Sequence, residues 1–232
     1  MRVETIGGLT VFQFANRSTM IELSTRELPV QRPGSQKGKM NVTAEEVVSA
    51  LKKQIADTRR AMAGTDYDEV PVRARVVRLA RRYGSPALDV GTGACACMAV
   101  ALARRGLRVT AVDHASSAIR MAQERAAGKL SEAMEVLHAD ASRLPFLDGS
   151  YRVTVAFDVL CHASDPAAIL GEMFRVNNGV VIITELNGAG RRVTHHHDEG
   201  FEIKLPDLLA EHCQNCQRFD DAHHVTYVCE GF

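Results

Sequence analysis

The chain has 232 residues, 46% of them hydrophobic and 24% charged, which suits one well-buried α/β domain with a modest appendage and excludes a largely disordered chain. Its 28 Lys and Arg balance 28 Asp and Glu, which argues against a general nucleic-acid binder. No apolar run approaches the roughly 20 residues that span a bilayer and the start lacks a basic-then-apolar leader pattern, so a cytoplasmic protein without membrane contact is expected.

Residues 1–30 read as β material: Thr5 and Ile6, a turn at Gly7-Gly8, then Leu9, Val11, Phe12 and Phe14, and a further strand at Met20 to Leu23. Residues 31–39, polar and rich in Gly and Pro, read as a linker, so residues 1–40 form an N-terminal extension to a domain over 41–232. Thr43 with Glu46 predicts a capping box, and Val47, Val48, Leu51, Ile55 and Met62 continue it as a helical stripe. A second helix starts near Pro71, with Val72, Val76, Val77 and Leu79 on its buried face. From Ala87 strand and helix alternate. Strands are expected near 86–90, 107–112, 134–138, 152–158 and 179–185, and helices near 94–105, 115–128 and 165–175. After a loop carrying His195, His196 and His197, a helix over 205–211 and a closing antiparallel hairpin at Phe219 and Val225–Val228 complete the pattern. The fold class is therefore α/β, a doubly wound, mostly parallel sheet with helices on both faces.

The pattern turns on Asp89-Val90-Gly91-Thr92-Gly93, where strand chemistry passes to helix chemistry across two glycines that allow a tight turn and close approach of a ligand. The spacing Gly91-x-Gly93-x-x-Ala96, with Asp113 about 20 residues on, also satisfies the dinucleotide fingerprint of nicotinamide-dependent oxidoreductases. Asp89 separates the two possibilities. Its charge would repel a pyrophosphate and hold the cationic amino-acid end of S-adenosylmethionine.

Five ordered segments then carry a resemblance: Asp89–Gly93, Val109–Asp113, His138–Phe146 followed by Asp148–Tyr151, Val155–His162 with Asp165-Pro166, and Glu172 with Arg175 and Val176. Over residues 67–186 the chain resembles the class I S-adenosylmethionine-dependent methyltransferases, in the branch of ubiquinone and menaquinone biosynthesis. It departs from them at Cys95, where the family has glycine, and at Asn177-Asn178-Gly179, where the family has a Lys-Pro-Gly-Gly turn. The resemblance implies a seven-stranded Rossmann-like methyltransferase sheet, S-adenosyl-L-methionine as cofactor and a small-molecule acceptor methylated by in-line displacement. It further implies a cofactor site made by Tyr67, Asp89, Gly91, Thr92, Gly93, Asp113, His114, Asp140, Ala141 and Phe157. Asp113 would take the ribose hydroxyls and Asp140 the adenine amino group.

Methyl transfer needs no protein nucleophile, but an acceptor that must lose a proton needs a base. His162, just after the fourth strand of the alternation, is the candidate, with Asp158 near the transferred methyl group. The N-terminal extension is expected to close over the strand ends opposite His162 and His195–His197, within one chain or across a homodimer. The six cysteines are expected as reduced thiols, and Cys213, Cys216, His223 and His224 form a weak set of metal-ligand types that does not by itself argue for a bound metal. A nicotinamide-dependent oxidoreductase, or a non-catalytic cofactor- or metal-binding protein, is the competing reading.

Overall fold

The computed structural model describes residues 2–6, 9–13, 19–22, 43–194 and 201–231. What the sequence suggested for Gly7, Gly8, Phe14, Leu23, residues 31–39 and His195–His197 lies outside them. The chain divides into two compact units, Met1–Gly64 and Thr65–Phe232. In the first, β1 (Arg2–Ile6), β2 (Leu9–Gln13) and β3 (Thr19–Glu22) pair antiparallel in that order, with Val3 opposite Phe12 and Val11 opposite Ile21. Helix α1 (Ala44–Met62) opens on the expected capping box: Thr43 Oγ1 accepts the Glu46 N–H at 3.2 Å, and Glu46 Oε2 accepts the Thr43 N–H at 2.6 Å.

The second unit opens with α2 (Val70–Tyr83), with Pro71 in its first turn, where no N–H is needed. Then follow β4 (Ala87–Val90), α3 (Cys97–Ala103), β5 (Val109–Asp113), α4 (Ser116–Ala126), β6 (Met134–His138), β7 (Tyr151–Phe157), α5 (Pro166–Arg175) and β8 (Asn177–Leu186). The last elements are α6 (Gly188–Thr194), α7 (Phe201–Ala210), β9 (Cys216–Asp220) and β10 (His224–Glu230). The strands make one seven-stranded sheet in the order β6-β5-β4-β7-β8-β10-β9. The pairs from β6 to β8 are parallel, and β10 runs antiparallel to both β8 and β9. Alternate side chains supply two cores. Ala87, Val153, Val155, Val180 and Ile182 pack with α2, α3 and α4 on one face, and Leu88, Ala156, Val181 and Ile183 with α5 and α7 on the other. The order reverses between β4 and β7, and beyond the carboxyl ends of strands at such a point an open sheet holds its ligand.

Two local differences from expectation have physical causes. The family's turn before the fifth strand is absent because β8 already begins at Asn177, whose Nδ2 donates to Thr154 Oγ1 at 2.8 Å and to Val180 O at 3.0 Å. Gly179 lies so close to β7 that a Cβ would come within 2.3 Å of Arg152 O, which explains the glycine without a turn. Helix α6 has little signal in the sequence because two of its seven residues are glycine, yet Asn187 caps it, accepting from the N–H groups of Ala189 at 2.9 Å and Gly190 at 3.0 Å.

The cysteine expectation also changes. Cys216 and Cys229 sit directly opposite each other on β9 and β10 and are joined by a disulfide, their Cα atoms 4.2 Å apart. Cross-strand register, invisible in a list of cysteines, brings these two thiols together.

Candidate active site

At the end of β4 the backbone turns through Gly91 (φ 68°) and Gly93 (φ 63°), a left-handed conformation that favours glycine. The two positions differ. A Cβ on Gly93 would meet nothing within 4 Å, so its peptide is an open face, whereas one on Gly91 would lie 2.6 Å from Val159 Cγ1. Asp89 is buried, its Oδ2 accepting from the Thr92 hydroxyl at 2.7 Å and from the Ala99 N–H at 3.1 Å. It thereby ties the glycine turn to α3.

Burial, only partly offset by these two bonds, pushes the Asp89 carboxyl up to about 7. The folded chain then holds this proton more tightly than the unfolded chain, whose carboxyl titrates near 3.9. The group therefore favours folding below about pH 4, and that contribution is lost as pH rises through about 7. Asp89→Asn should remove a stability slope of at most ~4 kcal/mol between those limits, read as the difference in urea midpoint between about pH 5 and pH 8. An unchanged slope in the variant would mean that Asp89 does not carry it.

Asp113 ends β5 and bridges backbone, its Oδ2 accepting from Gly93 N–H and its Oδ1 from Ala115 N–H, both at 2.9 Å. After β6, exposed Asp140 is held below the usual carboxylate range by the hydroxyl and N–H of Ser142. Exposed His114 lies beside Asp113, and the His138 ring bonds to the His114 carbonyl at 2.7 Å. Ala141, next to Asp140, is half-buried. Three neighbouring strands thus bring Asp89, Asp113 and Asp140 to one edge of the sheet, around the open peptide of Gly93.

The next strands bring a second group of residues to the same edge. Asp158 follows β7 in a left-handed conformation (φ 54°), its N–H fixed to Thr184 O at 2.8 Å. Its Oδ2 lies 3.3 Å from Nε2 of His224, the fully buried first residue of β10, and the Tyr67 hydroxyl lies 3.2 Å from the same nitrogen. Tyr67 in turn donates to Glu69 Oε1 at 2.9 Å. Since that spends the phenol proton, the network assigns the His224 proton to Nε2, shared by Asp158 and the phenol oxygen. His224 Nδ1 is left as a lone pair. It is buried and has no partner, as are Asp158 Oδ1 and Arg73 Nε. Clustered unsatisfied atoms of this kind mark a place where a ligand or water completes the bonding.

The surroundings sharpen the site. The Phe157 ring lies 5.3 Å from that of His224, and the Arg73 guanidinium, paired with Glu69, lies 5.2 Å above Phe157. Burial first, then the charges of Asp158 and Glu69, pushes the Tyr67 phenol up, so it stays protonated. Buried Glu185 supports the loop after β7, its Oε1 accepting from Leu160 N–H at 2.8 Å and Val159 N–H at 3.2 Å. Burial, with the Asp158 charge adding to it, raises the Glu185 carboxyl well above the usual range.

His162 lies exposed on the short turn Leu160–His162, while the ring set against Asp158 is that of His224. The four residues grouped as metal-ligand types do not gather. His223 faces Asp66 at 3.5 Å and His224 faces Asp158, both at the site end of β10, whereas the cysteines lie at its other end. Sequence reasoning missed the buried network that joins His224 to Asp158, Tyr67 and Glu69, the pairing of Arg73 with Glu69, and the bonds that Glu185 makes to the loop after β7. The Glu185 signal was present, as a lone acid in the apolar run of β8.

Comparison with known proteins accords with this geometry. Residues 88–183 match a methyltransferase domain family. The chain is 30% identical over 153 residues to a demethylmenaquinone methyltransferase from Clavibacter sepedonicus, covering 65% of this chain and 59% of that protein. It thus spans less than two thirds of that curated relative. Among solved structures, a SAM-dependent methyltransferase from Aquifex aeolicus superposes with a TM-score of 0.56 at 18% identity, covering 74% of this chain and 97% of that one. The magnesium protoporphyrin IX methyltransferase of Synechocystis PCC 6803, solved with bound SAH, superposes with a TM-score of 0.55 at 16% identity, covering 81% and 100%. Identities this low speak for the fold alone. Together these matches show that residues 88–183 carry a methyltransferase-like domain and that the chain is similar to S-adenosylmethionine-dependent methyltransferases, whose fold it shares.

Proposed function

We propose that this protein transfers the methyl group of S-adenosylmethionine to a small aromatic acceptor that carries an ionisable hydroxyl, and that His224 takes the hydroxyl's proton. The observation that carries this reading is the His224 ring, held by Asp158 and Tyr67 with its Nδ1 unpartnered, next to the glycine turn. The two halves of the site touch: Val159, the neighbour of Asp158, is the residue that crowds Gly91.

The cofactor supplies an activated methyl group on a sulfonium, so the chain's own residues have to bind, orient and deprotonate. The open Gly93 peptide, Thr92, Asp113, His114, Asp140 and Ala141 supply the cofactor's cradle, with Asp89 fixing the turn from behind. His224 Nδ1 accepts the acceptor's proton, and Asp158 stabilises the imidazolium that results through its bond to Nε2–H. Phe157 and Tyr67 flank the imidazole with rings suited to an aromatic acceptor. The curated relative is named for demethylmenaquinone, a quinone whose reduced, hydroquinone form belongs to that acceptor class.

The test incubates the full chain with S-adenosylmethionine and a panel of reduced quinones, phenols, amines and carboxylic acids, and follows S-adenosylhomocysteine and the methylated product by mass spectrometry. Stoichiometric product from a hydroquinone or phenol supports the reading, and turnover confined to amines overturns it. Within the cradle, Asp113→Ala should weaken S-adenosylmethionine binding by about 1–3 kcal/mol in calorimetry, since a carboxylate that also holds the Gly93 N–H is removed. Unchanged affinity would remove Asp113 from the site.

A further inference from the structure

A second cluster of chemically active side chains lies at the opposite end of the sheet. His224 pairs with Leu186 at the carboxyl end of β8, whereas Cys229 pairs with Val181, five residues back. At ~3.4 Å per residue the two positions on β10 are about 17 Å apart. Around Cys229 stand Cys216, its partner on β9, and Cys213, in the connection after α7. The three sulfurs all lie within 4.8 Å of one another.

Cys213 and Cys229 are buried among Leu170, Leu205 and Leu209, and half-buried Cys216 is the sulfur closest to solvent. Cys213 is fixed at both ends: its N–H donates to Leu209 O at 2.9 Å and its thiol to Glu230 O at 3.4 Å. It is therefore held beside the Cys216–Cys229 bond without being part of it. Three thiolates around one thiophilic ion, with metal–sulfur bonds of ~2.3 Å at tetrahedral angles, stand about 3.8 Å apart. Opening the disulfide frees two sulfurs to separate toward that spacing, and the third is already in place.

We propose that, once the Cys216–Cys229 bond is reduced, Cys213, Cys216 and Cys229 form a three-thiolate site for a divalent cation of the zinc class. A dithiol or phosphine reductant supplies two electrons and, with two protons, converts the disulfide into two thiols. The cation then displaces three thiol protons, and its fourth position faces solvent beside Cys216. Oxidation by disulfide exchange reverses the sequence, releasing the ion as the bond re-forms. The site is gated by redox state, and Cys229 takes the place of His223 and His224 beside Cys213 and Cys216 in its ligand set.

The test uses the full chain, kept reduced with a phosphine, and titrates Cd(II) while following the sulfur-to-cadmium ultraviolet charge-transfer band. Zn(II) affinity is measured in parallel against a chromophoric chelator. One equivalent of Cd(II) with that band is expected for the reduced protein and none for the oxidised protein. Cys213→Ser should lose the band and weaken Zn(II) binding beyond the roughly 10–100-fold that loss of an outer-sphere partner causes, while Cys161→Ser keeps both. Alkylation of the unsubstituted protein, mapped by mass spectrometry, needs no variant to fold: Zn(II) should protect Cys213, Cys216 and Cys229 together. No band in the reduced protein, or a full band in Cys213→Ser, overturns the site.

Discussion

Replacing His224 with glutamine should lower kcat for a hydroxylated acceptor by about 10²–10⁴-fold while S-adenosylmethionine still binds. Glutamine keeps a donor for Asp158 and roughly fills the buried space, so it removes the basic nitrogen with the least damage to the network around Tyr67 and Glu69. The diagnostic readout is the pH profile. If His224 acts as the base, raising the pH until the acceptor ionises unaided should restore much of the variant's rate, because no proton then remains to be taken. A variant equally impaired at every pH, with unchanged unfolding midpoint, would leave His224 as a packing residue. His224→Ala is the weaker experiment, since it strands Asp158 with neither oxygen bonded in a buried setting.

Gly91→Val should abolish cofactor binding and destabilise the domain by about 3 kcal/mol or more. Two separable effects contribute. A left-handed residue with a Cβ costs about 1–2 kcal/mol, and more if β-branched. The second is Val159, 2.6 Å from where the Cβ would stand. That valine cannot step aside cheaply, because its N–H and that of Leu160 are bonded to the buried Glu185 carboxyl. The sequence alone suggested that bulk at this glycine would strike the ligand; the structure shows that it strikes Val159 as well. Gly91→Ala with Val159→Ala should remove the two γ-carbon clashes, leaving a tight 3.2 Å contact with the Cβ of residue 159, and keep the backbone penalty, which denaturant midpoints on the singles and the double will separate. Normal cofactor affinity in Gly91→Val would disconnect this turn from the site.

What could be read in advance follows from how far each signal reaches along the chain. The Asp89–Gly93 turn, the strand-helix alternation and the capping box at Thr43 are local patterns, and the structure contains them. The pair Glu172 and Arg175, quoted only as part of a motif, gains its reason in three dimensions. Arg175 donates to Phe146 O, Leu144 O and Asp148, and Glu172 accepts from Leu144 N–H, so this pair clamps the loop before β7. The meeting of Asp158 with His224 was not readable, because 66 positions separate them and only the antiparallel register of β10 on β8 joins them. His162, the candidate base read from the sequence, stands closer to Asp158 along the chain. The Cys216–Cys229 bond escaped notice for the same reason.

The interior place of β10 also orders events during synthesis. β9 leaves the ribosome before β10, yet among the described residues its only strand partner is β10, so it has no ladder there to join until the later strand has inserted against β8. Sheet closure is therefore a single late event built on long-range pairing, the slow kind of contact in folding. It delivers β9 and His224 together. A nascent chain stalled at residue 220 would carry the whole glycine turn and the acids Asp89, Asp113 and Asp140, and still lack His224.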